Sequence, residues 1–183
     1  NPSGYKLAKN LGHSIVKPVP SLFTFSVKEP KLRECSGVSI KNTDIEIKVN
    51  NKSYTNRGDI LITHWGFSGP AVLKLSSIAA RDLYSQKYQC ELIINWSYLD
   101  YSCLKEKINS LRVHNGKLNL MNMRPLPELP KRLWIFLLHK LEINKDKKWS
   151  DLLSDEREKM IELLLKDKYS IAGKGPYGEE FVT

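Results

Sequence analysis

The sequence predicts an α+β protein: a small antiparallel β-barrel with a helical subdomain inserted between two of its strands. Three observations carry this reading. Apolar and polar residues alternate at Val38 and Ile40, and again at Ile45, Ile47 and Val49, which is the period of a strand with one buried face. From about residue 98 the helical period takes over, first at Leu104, Ile108 and Leu111, then at Leu133, Phe136, Leu137 and Leu141, then at Leu153, Met160, Ile161, Leu164 and Leu165. Strand-like sequence returns at Tyr169-Ser170-Ile171-Ala172 and over 179–183, and this last hairpin is expected to close the barrel's open edge. The expected units are a barrel over 1–97 plus 167–183 and a helical insert over 98–166.

The first element is a short helix over 3–10. Ser3 is placed to cap it, Gly12 to stop it, and Tyr5, Leu7, Ala8 and Leu11 give it an apolar stripe. Lys17-Pro18-Val19-Pro20 must be extended, because each proline forces its predecessor out of helical geometry. Leu22, Phe23, Phe25 and Val27 read as a strand. Residues 37–65 read as a meander, with Asn50-Asn51-Lys52 as a tight turn and Ile60-Leu61-Ile62-Thr63 as a further strand. A helix over 71–84 follows, with Pro70 in its first turn and Ala71, Val72, Leu75, Ile78, Ala79 and Leu83 on its apolar face. Tyr88 to Trp96 is one more strand. Ser154 is expected to cap the last helix, and Gly173 to Gly178 to form a hairpin turn.

Composition narrows the function classes. The 183 residues carry 29 Lys+Arg against 20 Asp+Glu, a net charge of +9. Residues 98–166 hold 14 of the bases and 10 of the acids, so the charge is spread and not gathered on one element. That spread weighs against nucleic acid as a partner. No apolar run approaches the ~20 residues a bilayer crossing needs, so no membrane partner is expected. Cys35, Cys90 and Cys103 are odd in number and widely spaced. They suit neither a disulfide framework nor a zinc site, and read as buried reduced thiols of a cytoplasmic protein. No other metal-ligand pattern stands out. Trp96, Trp134 and Trp149 are expected in the core, His139 as a satisfied packing histidine, and Trp65 as partly exposed. The chain opens on helix sequence at Asn1 and stops on strand sequence at Thr183, so it is expected to be a piece of a longer polypeptide.

The most distinctive stretch is Thr63-His64-Trp65-Gly66-Phe67-Ser68-Gly69-Pro70. Gly66 and Gly69 permit close backbone approach, the helix start offers free N–H groups, and His64 and Ser68 add a titratable group and a hydroxyl. The competing reading is a tight strand-to-helix turn, capped by Ser68 or Gly69, with His64 bonded to backbone. On residue types alone that structural reading comes first. No G-x-G-x-x-G occurs anywhere, so the chain has no dinucleotide fingerprint of its own.

Residues Gly58 to Leu73 resemble the G-[DE]-[LI]-L-[FI]-T-H-x-G-[LIF]-S-G-P-A-[IV]-L signature of the aminoacetone-oxidase-like (YhiN-like) flavoproteins, also called NAD(FAD)-utilising dehydrogenases. Gly4-Tyr5-Lys6-Leu7-Ala8, Leu11-Gly12-His13 and Pro18 to Leu22 are similar to a second stretch of that family. The resemblance implies a translation-factor-like barrel with a helical insert, placed in the middle of a FAD-dependent oxidoreductase. It implies FAD in the full-length parent, held by a FAD-binding domain of the same polypeptide, with none expected in this fragment. It implies a cytoplasmic enzyme acting on a small-molecule substrate, with His64, Trp65, Gly66, Ser68 and Gly69 facing the substrate or flavin cleft. No catalytic residue follows from it. Two other functions compete: a basic barrel-helix module that binds nucleic acid, and a purely structural or dimerisation domain.

Overall fold

The computed structural model describes residues 2–176 and the two-residue strand 181–182. Six strands close into an antiparallel barrel in the order β2-β5-β4-β3-β6-β7 and back to β2. These are β2 (Phe25–Val27), β3 (Ser39–Val49), β4 (Lys52–Ile62), β5 (Gly66–Ser68), β6 (Cys90–Asn95) and β7 (Asp167–Lys174). Helices α4 (Tyr101–His114), α5 (Lys131–Lys140) and α6 (Ser154–Leu165) lie between β6 and β7 in the chain, as the change of period predicts.

The longest hairpin shows why the alternation pattern is legible. Ile45, Ile47 and Val49 of β3 point into the barrel and are buried, while Glu46 and Lys48 face outward. Asn50 and Asn51 make the turn, both with positive φ (53° and 59°), the geometry of a two-residue hairpin turn that asparagine tolerates. The register slips between Ile40 and Thr43, where Asn42 has φ 51°. This bulge joins the two short strands expected from sequence into one.

The helix expected over 71–84 is two helices, α2 (Pro70–Ile78) and α3 (Ala80–Ser85), broken at Ala79. Ala71, Val72, Leu75, Ala79 and Leu83 are buried, but Ile78 is 54% exposed, so it does not belong to the packing face. Ser76, itself buried, accepts a 2.9 Å hydrogen bond from the Phe23 N–H and donates to the Leu73 carbonyl. A polar side chain thus satisfies backbone that the barrel leaves unpaired at Phe23.

Barrel and helices share one apolar core that runs from Phe25, Ile47 and Phe67 to Leu104, Trp134 and Leu164. Trp134 Nε1 donates to the Leu120 carbonyl (2.7 Å) and Trp149 Nε1 to the Met123 carbonyl (3.1 Å), pinning the long connection between α4 and α5. Asp167, fully buried at the start of β7, accepts from Trp96 Nε1 (2.9 Å), from the Tyr169 hydroxyl (2.5 Å) and from Lys140 of α5. Lys140 also lies 4.1 Å from the centre of the Tyr169 ring. One buried carboxylate therefore ties the helices to two barrel strands.

Several expectations need correction. The terminal strand β8 (Phe181–Val182) does not enter the barrel; it pairs with β1 (Pro20–Ser21) in a separate ladder, Pro20 opposite Val182 and Ser21 opposite Phe181. Ser154 is the first residue of α6 and not its cap; Glu156 reaches back to the Leu153 N–H (2.9 Å) instead. Leu153 is 65% exposed. His139 is exposed and approached by Lys31, not packed in the core. Cys35 is buried, Cys90 is half-buried, and Cys103 is exposed, so the thiols do not share one environment. Ser3 lies inside helix α1 (Pro2–Asn10), which ends before Gly12 (φ 85°) as expected. Of the turn expected over 173–178, Gly173 and Lys174 belong to β7, and residues 177 and 178 lie outside the described residues. No helix is long and apolar enough among the described residues to cross a membrane.

Candidate functional site

The distinctive loop is more structured than a strand-to-helix turn. β4 ends at Ile62, and Thr63 then clamps the reversal: its N–H donates to the Gly66 carbonyl (2.8 Å), and its hydroxyl accepts from the Gly66 N–H (3.1 Å). The chain returns at once as β5, with Ile62 opposite Phe67 and Leu61 opposite Ser68. His64 stands exposed at the tip. Trp65 is half-buried; its carbonyl accepts from the Val27 N–H (2.9 Å) and its indole N–H donates to the Thr24 hydroxyl (3.2 Å), which fixes the ring plane.

Gly66 and Gly69 are required by packing within the barrel. A Cβ on Gly66 would lie 2.2 Å from the Phe25 carbonyl oxygen, so only glycine lets β5 cross β2. A Cβ on Gly69, which has φ 101° and caps α2, would meet the backbone of Asp59 to Leu61 at 2.9 Å. Gly69 is thus the cap, and Pro70 follows at the first helical position, as the sequence suggests.

Three of the five candidate residues line one cleft of about 610 Å³: His64, Trp65 and Gly66. The rest of its lining comes from Ser26 and Val27 of β2, then Lys28, Glu29, Pro30, Leu32 and Arg33, which lead into and form part of the 3-10 helix Pro30–Cys35. Ser68 and Gly69 do not line it. The lining holds two cations, Lys28 and Arg33, and one carboxylate, Glu29, so the cleft favours an anionic or hydrogen-bond-accepting group beside a fixed indole ring. Sequence reasoning missed these two cations. They stand among ordinary surface lysines and arginines, and only the closure of β2 onto β5 brings them into one cleft with His64.

Behind the same 3-10 helix, Lys31 sits 3.1 Å from His139 Nε2, and Arg132 donates to the Glu34 carbonyl (3.1 Å from Nε). Cys35, the last residue of the 3-10 helix, directs its thiol at the Arg132 carbonyl of α5 (3.6 Å), and burial pushes that thiol up to about 11, which disfavours the thiolate. A wider groove of about 810 Å³ runs over the outer face of β3, β4 and β6 and the end of α6. Its charges are partly cancelled in place, most directly by the bidentate Arg57–Asp44 pair (2.5 and 2.7 Å).

A closed antiparallel barrel interrupted by helices, with a glycine-locked turn at the mouth of a cleft, defines a barrel domain with a helical insert. Residues 19–182 match the family described as HI0933-like protein barrel and H2TH domain, and the chain belongs to that family. The chain is 30% identical over 138 residues to the ribosomal RNA dihydrouridine synthase of Haemophilus influenzae, covering 73% of this chain and 31% of that protein. It is 31% identical over 85 residues to the 3-dehydro-bile acid delta(4,6)-reductase of Clostridium scindens (46% and 21%). It is 35% identical over 80 residues to the ribosomal RNA dihydrouridine synthase of Escherichia coli (42% and 19%). The chain spans less than a third of the length of each of these curated relatives.

Among the described residues, none of the glycine turns fits a cradle for a flavin's phosphates. Such a cradle needs a glycine turn opening toward the ligand at a helix start. The glycine turn here, at Gly69, is packed against its own barrel backbone. What the chain offers is one wall with exposed polar groups.

Proposed function

We propose that this chain is the substrate-side domain of a flavin-dependent reductase, and that the cleft between His64-Trp65 and Lys28-Arg33 is its contribution to the active site. The carrying observation is that the Thr63-clamped turn and β2 bring these four side chains around one opening, while the glycines that shape it are used up in barrel packing. FAD is held by the remainder of a longer polypeptide, and the fragment alone neither binds it tightly nor turns over. When bound, the flavin supplies a hydride. The relatives' names, dihydrouridine synthase and delta(4,6)-reductase, both denote hydrogenation of a carbon–carbon double bond, and that reaction class is assigned to the parent of this chain. Lys28 and Arg33 then orient an electron-rich group of the substrate, Trp65 supplies a flat apolar wall, and His64 is positioned at the rim.

The test is steady-state kinetics of the full-length protein. Lys28→Ala with Arg33→Ala, and separately His64→Ala, are expected to raise KM about tenfold or more, with flavin absorbance and melting temperature unchanged. Unchanged kinetics in both variants would overturn the assignment of the cleft.

A second reading, against the sequence-based expectation, is that the substrate is a base within RNA. It is favoured by the basic wall of the cleft and by the rRNA-directed relative, whose similarity covers 73% of the chain. Reoxidation of the reduced flavin by ribosomal RNA, but not by a small conjugated ketone, supports this reading; the reverse result supports the small-molecule one.

A further inference from the structure

We propose that residues 2–16 form a docking element for the flavin-binding part of the same longer polypeptide; this rests on the flavoenzyme reading above. Helix α1 (Pro2–Asn10) is amphipathic: Tyr5, Leu7, Ala8 and, just beyond its end, Leu11 share one half of its circumference, and Lys6, Lys9 and Asn10 share the other. The apolar half is largely exposed. Tyr5 is 45% exposed, Leu7 62% and Leu11 69%, and the extended segment that follows exposes Ile15 and Val16 as well. A nine-residue helix is marginal in water and draws its stability from the face it buries. Such a concentration of exposed apolar side chains marks an interface.

Three observations choose the occupant. The barrel-and-H2TH family match begins at residue 19, so residues 2–16 lie outside that unit. The related proteins run to more than three times the span matched here, which supplies a large partner surface. β1 pairs with β8, so the segment that follows α1 enters the barrel beside the strand at residues 181–182. The segment is anchored on its barrel side: Lys17 Nζ donates to the Tyr84 hydroxyl (3.3 Å), and Arg81 donates to the Lys17 carbonyl (3.4 Å). Docking of α1 would therefore set the angle between barrel and flavin, and with it the width of the cleft at His64.

Hydrogen exchange of the full-length protein tests this. Amides of residues 5–11 are expected to be protected in the wild type. In Leu7→Asp/Leu11→Asp their exchange should accelerate at least about tenfold, with β3 protection unchanged and a raised KM. Val113→Asp, at an equally exposed apolar position on α4, should change neither. Three results overturn the proposal: rapid exchange of 5–11 in the wild type; the same loss in Val113→Asp; or a change from dimer to monomer in Leu7→Asp/Leu11→Asp, which would make α1 a self-association face. A protected α1 in a full-length protein that binds no flavin would instead sink the flavoenzyme reading and leave the docking intact.

Discussion

Gly66 shows how one residue decides the site. Its missing side chain lets the Phe25 carbonyl pass where a Cβ would stand 2.2 Å away, and that close pairing brings Val27, Lys28 and Arg33 into one cleft with His64. Gly66→Ala must push β2 and β5 apart, since the obstructing atom is backbone and cannot swing aside. The expected cost is about 2 kcal/mol or more by denaturant unfolding, with the indole fluorescence of Trp65 altered in the folded state. The close backbone approach expected of this glycine is the approach of β2, and Gly66 lines the cleft beside His64 and Trp65.

Among the elements, the β3–β4 hairpin is tied to α3 by one carboxylate. Asp82 accepts from the Tyr54 hydroxyl, from Asn50 Nδ2 (3.0 Å) and from Lys52 Nζ (2.9 Å). These donors, Tyr54 foremost, hold its carboxyl well below the usual carboxylate range. A carboxyl depressed in the folded state stabilises the fold above its unfolded pKa and loses that contribution as pH falls toward the folded value. Asp82→Asn is therefore expected to unfold more easily than wild type near neutral pH, with the gap narrowing below about pH 4. Denaturant titrations at both pH values check this, and a gap independent of pH would refute it. The hairpin itself was legible because strict alternation and an Asn-Asn turn point to the same register. The α2–α3 break was not, because the spacing of Leu75, Ala79 and Leu83 fits an unbroken helix equally well.

For the whole molecule, the joint between helices and barrel rests on Asp167. Burial pushes its carboxyl up, against the pull of Lys140. Lys140→Met removes the cation from a fully buried carboxylate and is expected to cost about 3 kcal/mol. Adding Asp167→Asn should recover part of that loss, because the uncompensated charge is gone while Trp96 and Tyr169 keep a partner. Additive losses in a double-mutant cycle would refute the coupling. A joint of this kind makes barrel and helices respond together.

By itself the sequence determined the class of fold, the order of strands and helices, the hairpin turn and the family resemblance. All of these follow from periodicity and turn chemistry that act over a few residues. Only the tertiary structure decided that β5 exists, that β8 pairs with β1 outside the barrel, that Lys28 and Arg33 share a cleft with His64 and Trp65, and that Asp167 meets Lys140. The β1–β8 pairing, the shared cleft and the Asp167 joint bring together residues far apart in the chain, whose local sequence carries no trace of the encounter.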